Sequence, residues 1–77
     1  MSKSEKLKLM IAENVRKHRN AKGISHEELK ELSGLSFGKI INIETGNLEN
    51  VAIEDIEAIA EALDVTIDDI IKVDEYK

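Results

Sequence analysis

The chain contains no cysteine, no proline and no tryptophan, and it has only four glycines, one phenylalanine and one tyrosine among its 77 residues. Without cysteine, neither a disulfide framework nor a thiolate metal site can stabilise the fold. With so few aromatics, the 42% of hydrophobic residues must build a core of isoleucine, leucine and valine. The isolated glycines and the absence of proline favour helices joined by short turns. The sequence therefore predicts one small all-α domain over residues 1–77.

Several functional classes lack their sequence signals as well. No apolar run approaches the roughly 20 residues that span a bilayer, and no signal-peptide pattern opens the chain. We therefore expect a soluble, cytoplasmic protein with no membrane partner. There is no phosphate-binding glycine loop and no HExxH motif, and His18 and His26 have no third ligand at a suitable spacing. We expect no catalysis, no metal site and no cofactor.

Charge is distributed unevenly along the chain, whose net charge is −5. Residues 1–50 hold nine basic and seven acidic residues, a net charge of +2, whereas residues 51–77 hold two and nine, a net charge of −7. The basic residues that gather in and around the first predicted helix are Lys3, Lys6, Lys8, Arg16, Lys17, Arg19 and Lys22. Such a run is typical of a solvated helix face, and it also suits an anionic partner.

The first of five predicted helices covers about residues 4–22. Its apolar residues Leu7, Ile11 and Val15 recur every four positions, which predicts a buried stripe along one side. Gly23 follows directly and can adopt the left-handed conformation that ends a helix.

A helix-turn-helix unit is predicted at about residues 25–45. Ser25 and Glu28 form a capping box that opens the second helix. Gly34 supplies the positive φ that a tight turn requires, and Ser36 caps the third helix. The residues predicted to point inward from this unit are Leu29, Leu35, Ile40 and Ile43.

Two further helices are predicted in the acidic half of the chain. The fourth covers about residues 53–63 and carries apolar residues at helical spacing. Thr66 and Asp69 form a second cap-like pair, which opens a C-terminal helix at about residues 66–73. Five helices with short connections predict a compact all-α domain.

This organisation resembles the lambda-repressor/Cro-type helix-turn-helix domains, also called the XRE family, from about Ile11 to Ile71. The markers are Arg19, Gly23–Ser25, Glu28–Leu29, Gly34–Ser36, Ile40, Ile43–Glu44, Gly46 and residues 56–63 and 65–70. The resemblance implies a five-helix, sequence-specific DNA-binding transcriptional regulator. It further implies a repressor that binds a pseudo-palindromic operator on double-stranded DNA as a homodimer. It also suggests that Arg19 and Glu44 form an ion pair that orients the third helix.

The third helix would supply most of the DNA contacts. The residues assigned to base contacts are Phe37, Gly38, Ile41 and Asn42, and those assigned to phosphate contacts are His26, Ser36 and Lys39. Apolar side chains can touch thymine methyl groups, an asparagine amide can bind an adenine edge, and a glycine permits close approach. The chain departs from the family pattern here, since His26 stands where glutamine is usual and the base-contacting positions are unusually apolar.

Those departures leave two other hypotheses open. Phe37 and Ile41 lie within about 40° of each other around the helix, so they could form an apolar patch for a protein partner. The chain would then be a protein-binding module on the same fold, such as an antitoxin, an antirepressor or a regulatory subunit. Alternatively, Phe37 simply packs against the first helix and covers His18.

A dimer interface is predicted near the C terminus. Its apolar residues are Ile70, Ile71, Val73 and Tyr76, and acidic residues surround them in the sequence. An apolar centre with a charged rim is the usual composition of a protein–protein interface.

Overall fold

A computed structural model describes residues 2–72 of the chain. The helices in this part are α1 (Lys3–Lys22), α2 (His26–Ser33), α3 (Phe37–Thr45), α4 (Ile53–Ala62) and α5 (Ile67–Ile71). The predicted all-α, five-helix fold is therefore confirmed, and no strand occurs within residues 2–72. None of the helices in this range is long and apolar enough to cross a membrane.

Capping residues determine where the helices begin. Ser2, Ser25 and Thr66 precede α1, α2 and α5, and each hydroxyl accepts a hydrogen bond from the third backbone N–H of its helix. The carboxylate at that third position bonds back to the N–H of the capping residue. These reciprocal bonds satisfy donors that a helix start would otherwise leave unpaired. Between α2 and α3, Gly34 has a φ of 76°, which is unfavourable for residues other than glycine.

The core lies where α1, α3 and α4 meet α2 and α5. Its fully buried large side chains are Val15, Leu29, Ile40, Ile43, Ile59 and Ile70. The predicted stripe on α1 is correct for Ile11 and Val15 but wrong for Leu7, which is 40% exposed. The reason is that residues 2–9 are all exposed, so the first two turns of α1 contribute no buried side chain to the core.

The C-terminal helix packs on α1 through its last residues. Ile70 is fully buried within the single chain, so its predicted place in a dimer interface is wrong. The side-chain amide of Asn14 donates to the carbonyl oxygens of Ile70 and Lys72, at 2.8 and 3.0 Å. Of the other predicted interface residues, Ile71 is exposed, while Val73 and Tyr76 lie outside the described residues.

The start of α4 lacks the hydroxyl that caps the other helices. Ala52 occupies the capping position, and its N–H donates to the carboxylate of Asp55 at 2.9 Å. Only half of a capping box is therefore present, since an alanine side chain cannot accept a hydrogen bond.

Ala52→Ser is expected to raise the free energy of unfolding by about 1 kcal/mol. The new hydroxyl should accept a hydrogen bond from the N–H of Asp55, as the Thr66 hydroxyl does from Asp69 at 3.2 Å. Urea denaturation measures the change, and Asn50→Ser, in the exposed loop just before α4, serves as the control. Equal stability of the two variants would contradict the expectation.

Candidate nucleic-acid interface

The helix-turn-helix unit gives α3 one buried and one open side. Ile40, Ile43 and Glu44 are buried against the rest of the domain. Phe37, Gly38 and Asn42 are exposed and Ile41 is half-buried. We call these four residues, Phe37, Gly38, Ile41 and Asn42, the outer face of α3.

The carboxylate of Glu44 is the centre of a polar cluster behind that face. Glu44 is only 3% exposed. The Arg19 Nε donates to its Oε2 at 2.7 Å and the Arg19 Nη2 to its Oε1 at 3.3 Å. His26 Nε2 lies 3.0 Å from the same Oε1. One carboxylate on α3 thus contacts α1 through two nitrogens of Arg19 and the start of α2 through His26.

Two backbone contacts complete this cluster. The Arg19 Nη1 donates to the carbonyl oxygen of Ile24 at 2.9 Å, in the turn between α1 and α2. Arg16 Nη1 donates to the backbone carbonyl of Glu44. The end of α3 is therefore fixed to α1 through both its side chain and its backbone, while the orienting role of the Arg19–Glu44 pair stays a prediction.

His26 connects this cluster to the outer face of α3. Its side chain is 38% exposed, and its ring meets the ring of Phe37 edge to face, with centroids 6.3 Å apart and planes at 84°. Within residues 2–72, the aromatic ring that pairs with Phe37 belongs to His26 rather than to His18. Edge-to-face contact is a favourable aromatic geometry, so the His26 ring stabilises the observed position of the Phe37 ring. Its role as a phosphate contact remains a prediction.

Gly38 has no structural requirement for glycine. A Cβ added at this position would have no heavy atom within 4 Å beyond its own helix and chain neighbours, and the residue has no positive φ. Glycine inside a helix is less favourable than alanine by about 1 kcal/mol. Neither packing nor backbone conformation within the domain therefore requires glycine at position 38.

Lys39 forms an ion pair that the sequence analysis did not predict. Its Nζ lies 3.0 Å from Oδ2 of Asp55 on α4, and the two side chains are 34% and 15% exposed. The same Asp55 oxygen accepts the Ala52 N–H. The hydrogen bond from the Ala52 N–H, followed by the contact with Lys39, lowers the pKa of Asp55 below its ordinary value of 3.8.

This lowered pKa predicts an acid-sensitive contribution to stability. Ionised Asp55 stabilises the fold above its unfolded-state pKa, and this stabilisation is lost as the pH falls through the lower folded-state pKa. We expect the free energy of unfolding to decrease below about pH 4, and Asp55→Asn to remove part of that decrease. The pKa values of Glu5 and Asp69 are also lowered, by hydrogen bonds with Ser2 and Thr66. These two carboxylates should therefore cause part of the decrease in stability that persists in Asp55→Asn.

Urea denaturation at several pH values between about 2 and 6 measures this dependence. Glu54→Gln is the matched control, because it neutralises an exposed carboxylate in the same helical turn. A pH profile of Asp55→Asn that coincides with that of Glu54→Gln would contradict the assignment.

Within residues 2–72, no three carboxylate or imidazole side chains are grouped so that they could hold a metal ion.

Comparison with known proteins identifies the family of this domain. The family model described as "Helix-turn-helix" matches residues 15–70, more than half of the chain. The chain belongs to this family. A similar solved structure is the restriction-modification controller protein C.AhdI from Aeromonas hydrophila, with 33% sequence identity and a TM-score of 0.76. The match covers 82% of this chain and 94% of that chain.

No curated protein matches the chain. The family match confirms the resemblance to XRE-type helix-turn-helix domains. The protein is thus a DNA-binding transcriptional regulator with the family's all-α fold. The specific contacts assigned to its outer face remain predictions.

Proposed function

We propose that this regulator represses transcription in the cytoplasm by occupying promoter DNA with α3 in the major groove. The observation that carries the proposal is the outer face of α3, where Phe37, Gly38 and Asn42 are exposed next to a tightly fixed helix-turn-helix core. A recognition helix must leave one side free for base edges while its other side is held rigidly by the domain.

The absence of a side chain at Gly38, on the exposed side of α3, supports the proposed insertion of this helix into the groove. The domain has no packing or conformational need for glycine there, yet a missing side chain lets DNA approach the helix backbone closely. Gly38→Ala is therefore expected to stabilise the fold while weakening DNA binding, because the added methyl group would stand between the helix and the groove. A variant that becomes more stable and binds DNA as well as the original would argue against close approach.

The base contacts would be mainly apolar. Phe37 and Ile41 would touch thymine methyl groups, and the amide of Asn42 would bind the N6 and N7 edge of an adenine. Selected half-sites should consequently be rich in A·T pairs. Ser36, Lys39 and His26 would contact phosphates, while the lysines of α1 add a sequence-independent attraction.

We further propose that two copies bind a pseudo-palindromic operator, with half-sites about one helical turn apart. C.AhdI is by name a restriction-modification controller protein, and its similarity to this chain supports a regulatory role in transcription. The proposed interface consists of Ile71, Val73 and Tyr76. Of these, Ile71 lies within the described residues, and it is 38% exposed. Sedimentation at micromolar concentration should show a dimer. A monomer at that concentration, with and without operator DNA, would reject the two-copy arrangement.

Selection from a pool of random duplexes, followed by binding measurements at two salt concentrations, tests DNA recognition. Enrichment of an A·T-rich, two-fold symmetric site with salt-dependent affinity supports the proposal. Absence of any enriched motif, together with weak or salt-insensitive binding, would favour the alternative of a protein partner on the Phe37 and Ile41 surface. In that case Phe37→Ala should abolish partner binding, whereas Lys39→Ala should have little effect.

A further inference from the structure

We propose that Asp55 competes with DNA phosphate for the ammonium group of Lys39, and that this competition limits the affinity for any duplex. The inference rests on the DNA-binding role proposed for α3. It assigns to α4, which makes none of the proposed DNA contacts, an influence on how tightly the regulator binds.

Lys39 lies in the first turn of α3, next to Gly38 and two residues after Phe37. A side chain at this position would be within reach of a phosphate once α3 enters the groove. Its Nζ is instead 3.0 Å from the Asp55 carboxylate. Carboxylate and phosphate oxygens form the same kind of charge-assisted hydrogen bond with an ammonium group. The intramolecular acceptor therefore holds the ammonium group that DNA would use, although only one of its three N–H donors is engaged.

Asp55 is well placed to retain its partner. Its side chain is 15% exposed, and the oxygen that binds Lys39 also accepts the Ala52 N–H at 2.9 Å. The acceptor is thus fixed at the start of α4. Lys39 must either leave Asp55 to bind a phosphate or bridge the two anions. Bridging would bring two negative charges close together, so both routes weaken DNA binding.

The size of the effect follows from the exposure of the pair. Partly exposed ion pairs contribute modestly, which corresponds to a change of about two- to fivefold in an equilibrium constant. Asp55→Asn should consequently tighten binding to a duplex of random sequence by about two- to fivefold. The neutral amide still offers an oxygen to the Ala52 N–H, so the start of α4 is preserved, while the lost negative charge weakens the attraction between this oxygen and Lys39.

The experiment compares Asp55→Asn with Glu54→Gln, each with and without Lys39→Met, by equilibrium titration of a fluorescent random-sequence duplex. Glu54→Gln removes the same charge from the adjacent, exposed position, so it reports the general electrostatic contribution. With Lys39 present, Asp55→Asn should tighten binding clearly more than Glu54→Gln. With Lys39→Met, the two substitutions should have the same effect. Dependence on Lys39 separates competition from a merely structural role.

Two results overturn the inference while leaving the proposed function intact. One is equal binding by Asp55→Asn and Glu54→Gln when Lys39 is present and the original protein binds DNA. The other is weaker binding by a folded Asp55→Asn variant, since Asp55 would then position Lys39 for DNA. Failure of every variant and of the original protein to bind duplex overturns the proposed function and this inference together. If Asp55→Asn alone unfolds, the comparison is made in the Ala52→Ser background, whose added cap supports α4.

Discussion

Arg19→Ala is expected to lower the free energy of unfolding by about 3 kcal/mol. The substitution would leave the Glu44 carboxylate, which is 3% exposed, without the guanidinium that contacts it at 2.7 and 3.3 Å. It would also remove the hydrogen bond to the carbonyl of Ile24. A buried charge that loses its partner is one of the few mechanisms by which a single substitution strongly destabilises a domain. Chemical denaturation followed by circular dichroism measures the loss.

Lys17→Ala is the control for this prediction, because it removes a positive charge from an exposed position on the same helix. Its effect should stay within about 0.5 kcal/mol. Replacing both Arg19 and Glu44 by leucine should recover part of the loss, since a buried ion pair often tolerates apolar replacement of both partners. An Arg19→Ala variant that unfolds at the same denaturant concentration as Lys17→Ala would show that the pair does not stabilise the domain.

Asn42→Ala is expected to weaken binding to the selected operator by about 1–3 kcal/mol. Its amide is the one polar side-chain group on the outer face of α3, so it would carry most of the hydrogen-bonded discrimination between bases. Binding to random duplex should change little, because such binding depends on phosphate contacts. Stability should also be preserved, since Asn42 is exposed.

Asn20→Ala provides the matched control, as an exposed asparagine on α1. It should leave both operator and random-duplex binding unchanged. Equal weakening of operator and random-duplex binding by Asn42→Ala would show that Asn42 does not read a base. Phe37→Ala, compared in the same assay, should relax operator specificity more than it lowers stability.

Much of the fold could be predicted because its signals are local. The Ser25–Glu28 and Thr66–Asp69 pairs mark helix starts through bonds that span three residues, and Gly34 marks a turn through its own backbone conformation. The start of α1 was missed by one residue, although Ser2 and Glu5 form the same capping pattern. Signals of this kind require no knowledge of how the helices pack.

The errors arose where packing decides the outcome. Leu7 has the correct spacing for a buried stripe, but the side chains in the first two turns of α1 all remain exposed. The sequence pattern placed Ile70 in a dimer interface on the surface, whereas its side chain is fully buried in the core. The Lys39–Asp55 contact joins residues 16 positions apart on two different helices, so it depends on how α3 and α4 are placed in the fold. No periodicity in the sequence encodes that contact.

The shared carboxylate of Glu44 has a consequence for motion. Because α3 is held by Arg19, by His26 and by its buried isoleucines, the amides of its buried residues Ile40, Ile43 and Glu44 should exchange with solvent hydrogen only when the whole domain opens. The five-residue α5, joined to α1 by Asn14, should open earlier. A recognition helix that is already rigid loses little conformational entropy on association. The outer face would therefore meet the groove in its final shape, and binding would require no folding step.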